Sequence, residues 1–169
     1  MRFLFVVVGY KVVWLTSVLG REGWWGGVAS LVYLLFLSFH PLRLRRRWLL
    51  AAPIGFAFGS IVDGMLASVG AIEFRHLPVI RGLPIWMPML WSSFAAAIPI
   101  LLQRLRSRPL LVALFGALGG PGAYFGALRL GAIDSVAPWA WWIVALEWAL
   151  FPVAILFLVY PKVDLALKR

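Results

Sequence analysis

The sequence predicts an all-α integral membrane protein, a single bundle of six transmembrane helices with the N- and C-termini in the cytoplasm. Three observations predict it: 63% of the residues are hydrophobic and 13% are charged, six apolar stretches have membrane-spanning length, and the basic residues are distributed unevenly. A soluble domain carries about 25% charged residues. A chain of 169 residues also has too little interior to bury so much apolar surface, so a soluble protein is excluded.

The chain divides at its charged and Pro/Gly-rich joints into six stretches, within one transmembrane domain covering residues 1–169. A spanning helix needs roughly 20 mostly apolar residues, within a range of about 17–25. The connections are short, which suits antiparallel neighbours. The predicted spans are Phe3–Leu19, Trp24–Phe39, Trp48–Gly70, Ile85–Gln103, Leu110–Leu128 and Pro138–Tyr160.

The basic residues predict the orientation of these spans. With the N-terminus in the cytoplasm, eleven basic residues lie in inner segments and four in outer loops, which is the bias described by the positive-inside rule. A retained first helix is favoured over a signal peptide, because Lys11 interrupts the first apolar run and no small-x-small cleavage site follows. We expect a multi-pass protein of the bacterial inner (cytoplasmic) membrane.

Two arginine clusters lie in the predicted cytoplasmic loops. The first interpretation is that they determine topology near anionic headgroups, where each charge contributes ~1 kcal/mol. The alternative is a specific anionic-lipid or phosphate site between the two loops. Aromatic residues do not alternate with the basic ones, so nucleic acid is not a predicted partner. The predicted anionic-lipid contacts are Arg43, Arg45, Arg46, Arg47, Arg104, Arg106 and Arg108.

Three ionisable residues, Lys11, Asp63 and Glu147, fall well inside predicted spans. At a rise of ~1.5 Å per residue, they lie ~12–14 Å, ~10 Å and ~13 Å from the outer ends of their helices. A charged group in mid-helix costs about 2.5–3.5 kcal/mol on insertion scales, so each should face a partner or a water-filled cavity. We therefore predict a polar belt in the outer half of the bilayer. Its other candidate members are Ser60, Ser92, Ser93 and Tyr124.

The polar belt has a structural and a functional interpretation. Lys11 paired with Asp63 or Glu147 would lock the helix packing through an internal salt bridge. One lysine leaves one carboxylate over, and in a low dielectric that group would take up a proton or bind a cation or a donor ligand. Lys11 is expected to be a partner rather than a nucleophile. Ser60, one turn before Asp63, faces the same way and is placed to hydrogen-bond it.

Small residues four apart occur in spans three and five. They form the pairs Gly55/Gly59, Gly116/Gly120 and Gly122/Gly126. This spacing lets helices approach closely. The glycine-rich faces are predicted to pack against neighbouring helices, either within the chain or in other membrane proteins.

Several kinds of chemistry are missing from the sequence. The chain has no cysteine, which removes thiolate metal sites and cysteine nucleophiles. The two histidines, His40 and His76, fall on opposite sides of the predicted membrane, so a histidine metal centre is not expected. No cofactor, no metal and no catalytic residue is predicted, and binding is favoured over enzymatic activity.

A set of short segments carries a resemblance to a known family. They are Gly59-Ser-Ile-Val-Asp63-Gly-Met-Leu-Ala-Ser-Val-Gly70, Pro84-Ile-Trp-Met-Pro88, Leu90-Trp-Ser-Ser-Phe94, Gly116-Ala-Leu-Gly-Gly-Pro-Gly-Ala-Tyr124, Leu130-Gly-Ala132 and Glu147-Trp-Ala-Leu-Phe-Pro152. Together they resemble a family of small bacterial inner-membrane proteins known as a domain of unknown function, and Gly-Gly-Pro-x-x-Tyr is the most specific part.

The resemblance covers most of the chain and implies no established reaction. Genes for such proteins often lie near those of fatty-acid-modifying enzymes, so the resemblance slightly favours lipid chemistry as a theme. At the level of fold alone, the Gly59-x-x-x-Asp63 element in a third span is similar to rod-shape-determining membrane proteins. Six spans are also similar to the substrate-capturing subunits of energy-coupling-factor vitamin transporters. Such analogies do not determine function.

Three functions are compatible with these features. The first is binding of a lipid or other amphiphile at the polar belt, which a pocket opening sideways to the bilayer would favour. The second is a small-solute transport or substrate-capture subunit, which a pocket opening only to the outer solution would favour. The third is a non-catalytic scaffold with a filled core. No inverted repeat, which many transporters carry, is visible between the two three-helix halves.

Overall fold

The structure, a computed structural model, describes residues 2–20, 24–39, 45–75 and 82–159. Six α-helices in these ranges each coincide with one predicted span, apart from a few residues at the ends. The predicted all-α class is confirmed. The helices are α1 (Arg2–Leu19), α2 (Trp25–Ser38), α3 (Arg45–Ser68), α4 (Trp86–Leu101), α5 (Pro109–Arg129) and α6 (Ala140–Val159), and a 3₁₀ turn covers Gln103–Leu105.

Helix α4 lies at the centre of the bundle. It packs against α1, α2, α3 and α6, and nearly all of its residues from Trp86 to Pro99 are buried. A helix that is hydrophobic on every side belongs in an interior. Helix α5 packs mainly on α6. The other helices turn large apolar side chains outward, for example Phe5 on α1, Leu118 on α5 and Trp142 on α6.

Two short strands join the connections α3–α4 and α5–α6. Strand β1 (Ile72–Phe74) pairs antiparallel with β2 (Ile133–Val136), with Ile72 opposite Val136 and a register shift after Glu73. An exposed ion pair, from Arg75 Nε to Asp134 Oδ1 at 2.7 Å, lies beside the strands. The sheet was not predicted from the sequence, because its strands are three and four residues long and pair across a large sequence separation.

Both strands follow a helix that ends in the same way. Gly70 and Gly131 have positive φ values of 69° and 73°, a conformation that glycine adopts without steric cost. The following amides return to the preceding turn, from Ala71 N to the Leu66 carbonyl and from Ala132 N to the Ala127 carbonyl. This is the Schellman motif. It directs the segments after α3 and α5 into the sheet at one end of the bundle.

The matching ends belong to a longer internal repeat. Gly55 and Gly59 on α3 lie against Trp91 of α4, and a Cβ on Gly59 would overlap the Trp91 ring. Gly116 and Gly120, each 61 residues after its counterpart on α3, lie in the same way against Trp148 of α6. The same separation of 61 residues lies between Asp63 and its hydrogen-bond partner Tyr124. The units α3–β1–α4 and α5–β2–α6 are therefore related hairpins of the same chain direction. This is not an inverted repeat of three-helix halves.

Three helices are long and apolar enough to cross a membrane, as judged by length and composition. They are the segment Leu50–Ser68 of α3, the whole of α5, and α6. Helices α1, α2 and α4 are shorter apolar helices. The structure thus supports a membrane protein with three candidate spans among the described residues.

Candidate functional site

The centre of the bundle holds a buried carboxylate, Asp63 of α3, which has no exposed surface. Its Oδ2 accepts a hydrogen bond from Trp91 Nε1 of α4 at 2.6 Å, and its Oδ1 accepts one from Tyr124 Oη of α5 at 2.6 Å. Hydrogen bonds to a carboxylate are shorter and stronger than neutral ones. Both oxygens of Asp63 therefore have a donor, supplied by two other helices.

The glycines of the repeat position these donors. Because Gly59 has no side chain, the Trp91 ring lies directly against α3, one turn from Asp63. Other aromatic rings hold it there: Trp148 has its ring centroid 4.8 Å away, and Phe58 and Phe151 contact it edge-on. Trp91 was not predicted from the sequence as a site residue. A buried indole N–H that needs an acceptor is the signal that points to it.

A second carboxylate, Glu147 of α6, lies near Asp63. It is only 6% exposed, and neither Oε1 nor Oε2 has a hydrogen-bond partner among the described residues. Its charge interacts electrostatically with Asp63, and both carboxylates interact with Tyr124. Asp63, Trp91, Tyr124 and Glu147, called the acidic centre below, join four helices.

The structure places the other predicted members of the polar belt elsewhere. Ser60 Oγ donates to the Phe56 carbonyl at 2.8 Å, and not to Asp63 as expected. Ser92 Oγ donates to the Ala52 carbonyl at 2.9 Å, which ties α4 to α3. Ser93 is fully buried, and its hydroxyl has no partner in the described ranges. None of the three hydroxyl groups forms a hydrogen bond with Asp63 or Glu147 within the described residues.

Lys11 does not join the acidic centre. Its side chain is exposed, and within the described residues it forms an ion pair with neither Asp63 nor Glu147. The predicted internal salt bridge between Lys11 and Asp63 or Glu147 is therefore wrong. Equal depth along the helices did not bring the three charges together, because Lys11 lies on a face of α1 that points toward α5 and α6 rather than α3.

Lys11 lines a cavity of about 210 Å³ between α1, α4, α5 and α6, called the cleft below. Other lining residues include Trp14, Phe94, Phe115, Gly119 and Trp148. A smaller cavity of about 20 Å³ continues toward Trp86 and Ile133 and shares part of this wall. Among the described residues that line either cavity, none is Asp or Glu.

The predicted arginine contacts are only partly described. Arg104 belongs to the 3₁₀ turn, Arg108 precedes α5, and both are exposed, whereas Arg106 between them is half-buried. These three lie at the end of the bundle opposite the strands. Arg43 lies outside the described residues, as do the side chains of Arg45, Arg46 and Arg47 at the start of α3.

The fold and the site define a class: a helical bundle with three helices long and apolar enough to cross a membrane, built from two similar hairpins around a buried acidic centre. The chain belongs to the family described as protein of unknown function (DUF2878), whose model matches residues 3–153. The match contains every residue of the acidic centre and of the cleft, and it confirms the resemblance seen in the sequence. No curated protein and no solved structure shows significant similarity to the chain.

Proposed function

We propose that this protein spans the bacterial inner membrane six times and binds an anionic amphiphile, with its acyl chain in the cleft. The apolar outer faces of the helices support insertion, since a lipid environment removes the cost of exposing them to water. Helices α1, α2 and α4 are short for a hydrocarbon core of about 30 Å. Helix α4 packs against the longer helices α3 and α6, and α1 and α2 pack on α4 and on each other.

The ends of the bundle support the proposed orientation. Trp24, Trp25, Trp139 and Trp142 are exposed near the starts of α2 and α6, at the strand end, and indole rings prefer a membrane interface. The arginine-bearing connection between α4 and α5 lies at the opposite end. In this orientation the strands face the periplasm, and the arginines and both termini face the cytoplasm.

The position of the cleft opening favours a ligand from the bilayer. Lys11, Phe115 and Gly119 line the cleft and are exposed, and all three lie in the middle of their helices. The opening is therefore on the side of the bundle, between α1 and α5. On the outer side Trp14 extends to α5 at Gly126. A lateral opening with apolar and aromatic walls suits an acyl chain.

The polar groups of the cleft favour an anion. Lys11 supplies a positive charge without an ion-pair partner in the described ranges, and Trp148 Nε1 is a buried donor without an acceptor there. A lysine in mid-membrane is costly unless an opposite charge or water accompanies it. A carboxylate or phosphate headgroup supplies that charge. The lateral cleft with its unpaired lysine is the observation that carries the proposal.

A substitution that fills the cleft tests the proposal that an amphiphile binds there. A Cβ on Gly119 or on Gly122 meets nothing within 4 Å, so a side chain would begin in open space at either position, but only Gly119 lines the cleft. Binding of a long-chain carboxylic acid and of the alcohol of equal length is measured by native mass spectrometry of the purified protein. Gly119→Phe is expected to weaken binding of both at least about tenfold, or ~1.4 kcal/mol, and Gly122→Phe is expected to bind as wild type.

Lys11→Met separates the headgroup from the chain. This variant is expected to bind the alcohol normally and to lose the preference for the acid, because methionine keeps the length of the side chain without its charge. Unchanged binding in Gly119→Phe would refute the cleft as the site. An undiminished preference for the acid in Lys11→Met would refute the anionic headgroup.

A second candidate function, small-solute transport or substrate capture, is favoured by the repeat. The Asp63–Tyr124 hydrogen bond joins equivalent positions of two hairpins, and transporter sites are often found between structural repeats. Profiling lipids and small metabolites of a deletion strain, complemented with wild type or Asp63→Asn, distinguishes the two. Restored lipid composition supports amphiphile binding, and restored solute levels support transport.

A further inference from the structure

The acidic centre contains two carboxylates and, among the described residues, no cation that balances them. Asp63 is fully buried and uses its two oxygens to accept from Trp91 and Tyr124. Glu147 is buried on α6, and both of its oxygens lack partners. No described Lys or Arg lies within 4 Å of either carboxylate.

This arrangement is unfavourable without a further ligand. Removing an ionised carboxylate from water costs several kcal/mol unless hydrogen bonds or an opposite charge compensate it. The two donors compensate Asp63 alone. Glu147 is likewise removed from water, but no hydrogen bond among the described residues compensates its charge. The nearby negative charge of Asp63 further increases the cost of ionising Glu147.

We propose that Asp63 and Glu147 together bind one monovalent cation, either a proton or an alkali-metal ion. The Glu147 oxygens, which are buried, without partners among the described residues and close enough to Asp63 and Tyr124 to interact with them electrostatically, indicate where it binds. A single charge is favoured because Asp63 already accepts two hydrogen bonds, and because the described ranges hold no group of three or more His, Asp or Glu side chains of the kind that binds divalent metals.

The cation site is distinct from the cleft. Trp148 lies at the boundary between them, since its ring contacts Trp91 of the acidic centre and also lines the cleft. The titratable groups that face Glu147 are Asp63 from α3 and Tyr124 from α5. Lys11 lines the cleft instead. Cation binding at the acidic centre therefore does not depend on whether the cleft binds an amphiphile.

Two measurements on the full chain in lipid nanodiscs test the proposal. Infrared spectroscopy detects the carbonyl band of a protonated carboxyl group, and thermal unfolding is compared in sodium, potassium and N-methylglucamine chloride. The variants are Glu147→Gln, which keeps the shape and removes the charge, and Glu73→Gln as the control. Glu73 is an exposed carboxylate in β1 that accepts from Ser135.

A proton in the site predicts a carboxylic acid band in wild type that is lost in Glu147→Gln and kept in Glu73→Gln, with unfolding independent of the salt. An alkali-metal ion predicts no such band and an unfolding temperature raised by sodium or potassium, with that shift lost in Glu147→Gln only. A wild type with neither the band nor the salt-dependent shift would overturn the proposal.

Discussion

Asp63 shows how one side chain connects separate helices. Its two hydrogen bonds reach α4 and α5, and the repeat places Tyr124 at the position equivalent to Asp63 itself. The two hairpins therefore differ at the acidic centre. Trp91 has an acceptor in Asp63, whereas its counterpart Trp148 has an unpartnered N–H in the described part of the chain.

The Tyr124 hydroxyl is predicted to stabilise the bundle more than an ordinary tyrosine hydroxyl does. Tyr124→Phe removes a donor to a buried carboxylate and should lower the free energy of unfolding by about 1.5–3 kcal/mol, the range for hydrogen bonds to charged groups. Tyr33→Phe is the comparison, because Tyr33 Oη donates to the neutral Val6 carbonyl at 2.9 Å. It should cost about 1 kcal/mol.

Both free energies are obtained from denaturant or thermal unfolding of the purified variants in one detergent. Equal losses in the two variants would mean that Asp63 is no better an acceptor than a backbone carbonyl.

At the scale of elements, glycine decides which helices touch. Gly116 and Gly120 lie against the backbone and ring of Trp148, and Gly55 and Gly59 lie in the same way against Trp91. These faces are used inside the chain. Gly119 and Gly122 on α5 have open space around their Cβ positions. The adjacent glycines Gly119 and Gly120 therefore differ, because a Cβ meets nothing at Gly119 and overlaps Trp148 at Gly120.

Alanine substitutions along α5 test this difference. In Gly120→Ala the new methyl group overlaps the Trp148 ring, and overpacking of this kind costs about 1–3 kcal/mol. In Gly122→Ala nothing is displaced, and the gain in helix propensity is up to about 1 kcal/mol. The unfolding temperature should fall in the first variant and stay the same or rise in the second. A Gly120→Ala protein as stable as wild type would show that α5 and α6 are less closely packed.

At the scale of the whole molecule, the strands bring two connections to one end. The ion pair between Arg75 and Asp134 is exposed, so it adds little to stability. The pairing matters because it shows that the connections α3–α4 and α5–α6 share a side. The connection α4–α5, with Ser107 among its arginines, is at the other end.

Cysteine labelling tests the proposed orientation on a chain that has no native cysteine. Ser135→Cys in β2 and Ser107→Cys before α5 are exposed positions at opposite ends. A membrane-impermeant maleimide added to cells with a permeable outer membrane should label Ser135→Cys directly, and Ser107→Cys only after the inner membrane is opened. The reverse pattern would invert the topology, and labelling of both in closed cells would argue against insertion.

The sequence by itself determined the helices. Long apolar stretches interrupted by charged, Pro- and Gly-rich joints set their number and limits, because a helix buried in an apolar environment satisfies its backbone hydrogen bonds locally. It also singled out Asp63, Tyr124 and Glu147 as candidate members of a polar belt, since polar groups in apolar segments are costly and few.

Only the tertiary structure decided which of these groups meet. Depth along a helix can be counted from the sequence, but the direction in which a side chain points around the bundle depends on how the helices pack, and Gly59 and Gly120 settle that by admitting Trp91 and Trp148. Lys11 lines the cleft. Trp91, and not Lys11, donates to Asp63. The pairing of β1 with β2 likewise depends on contacts between residues far apart in the chain, which local sequence patterns do not encode.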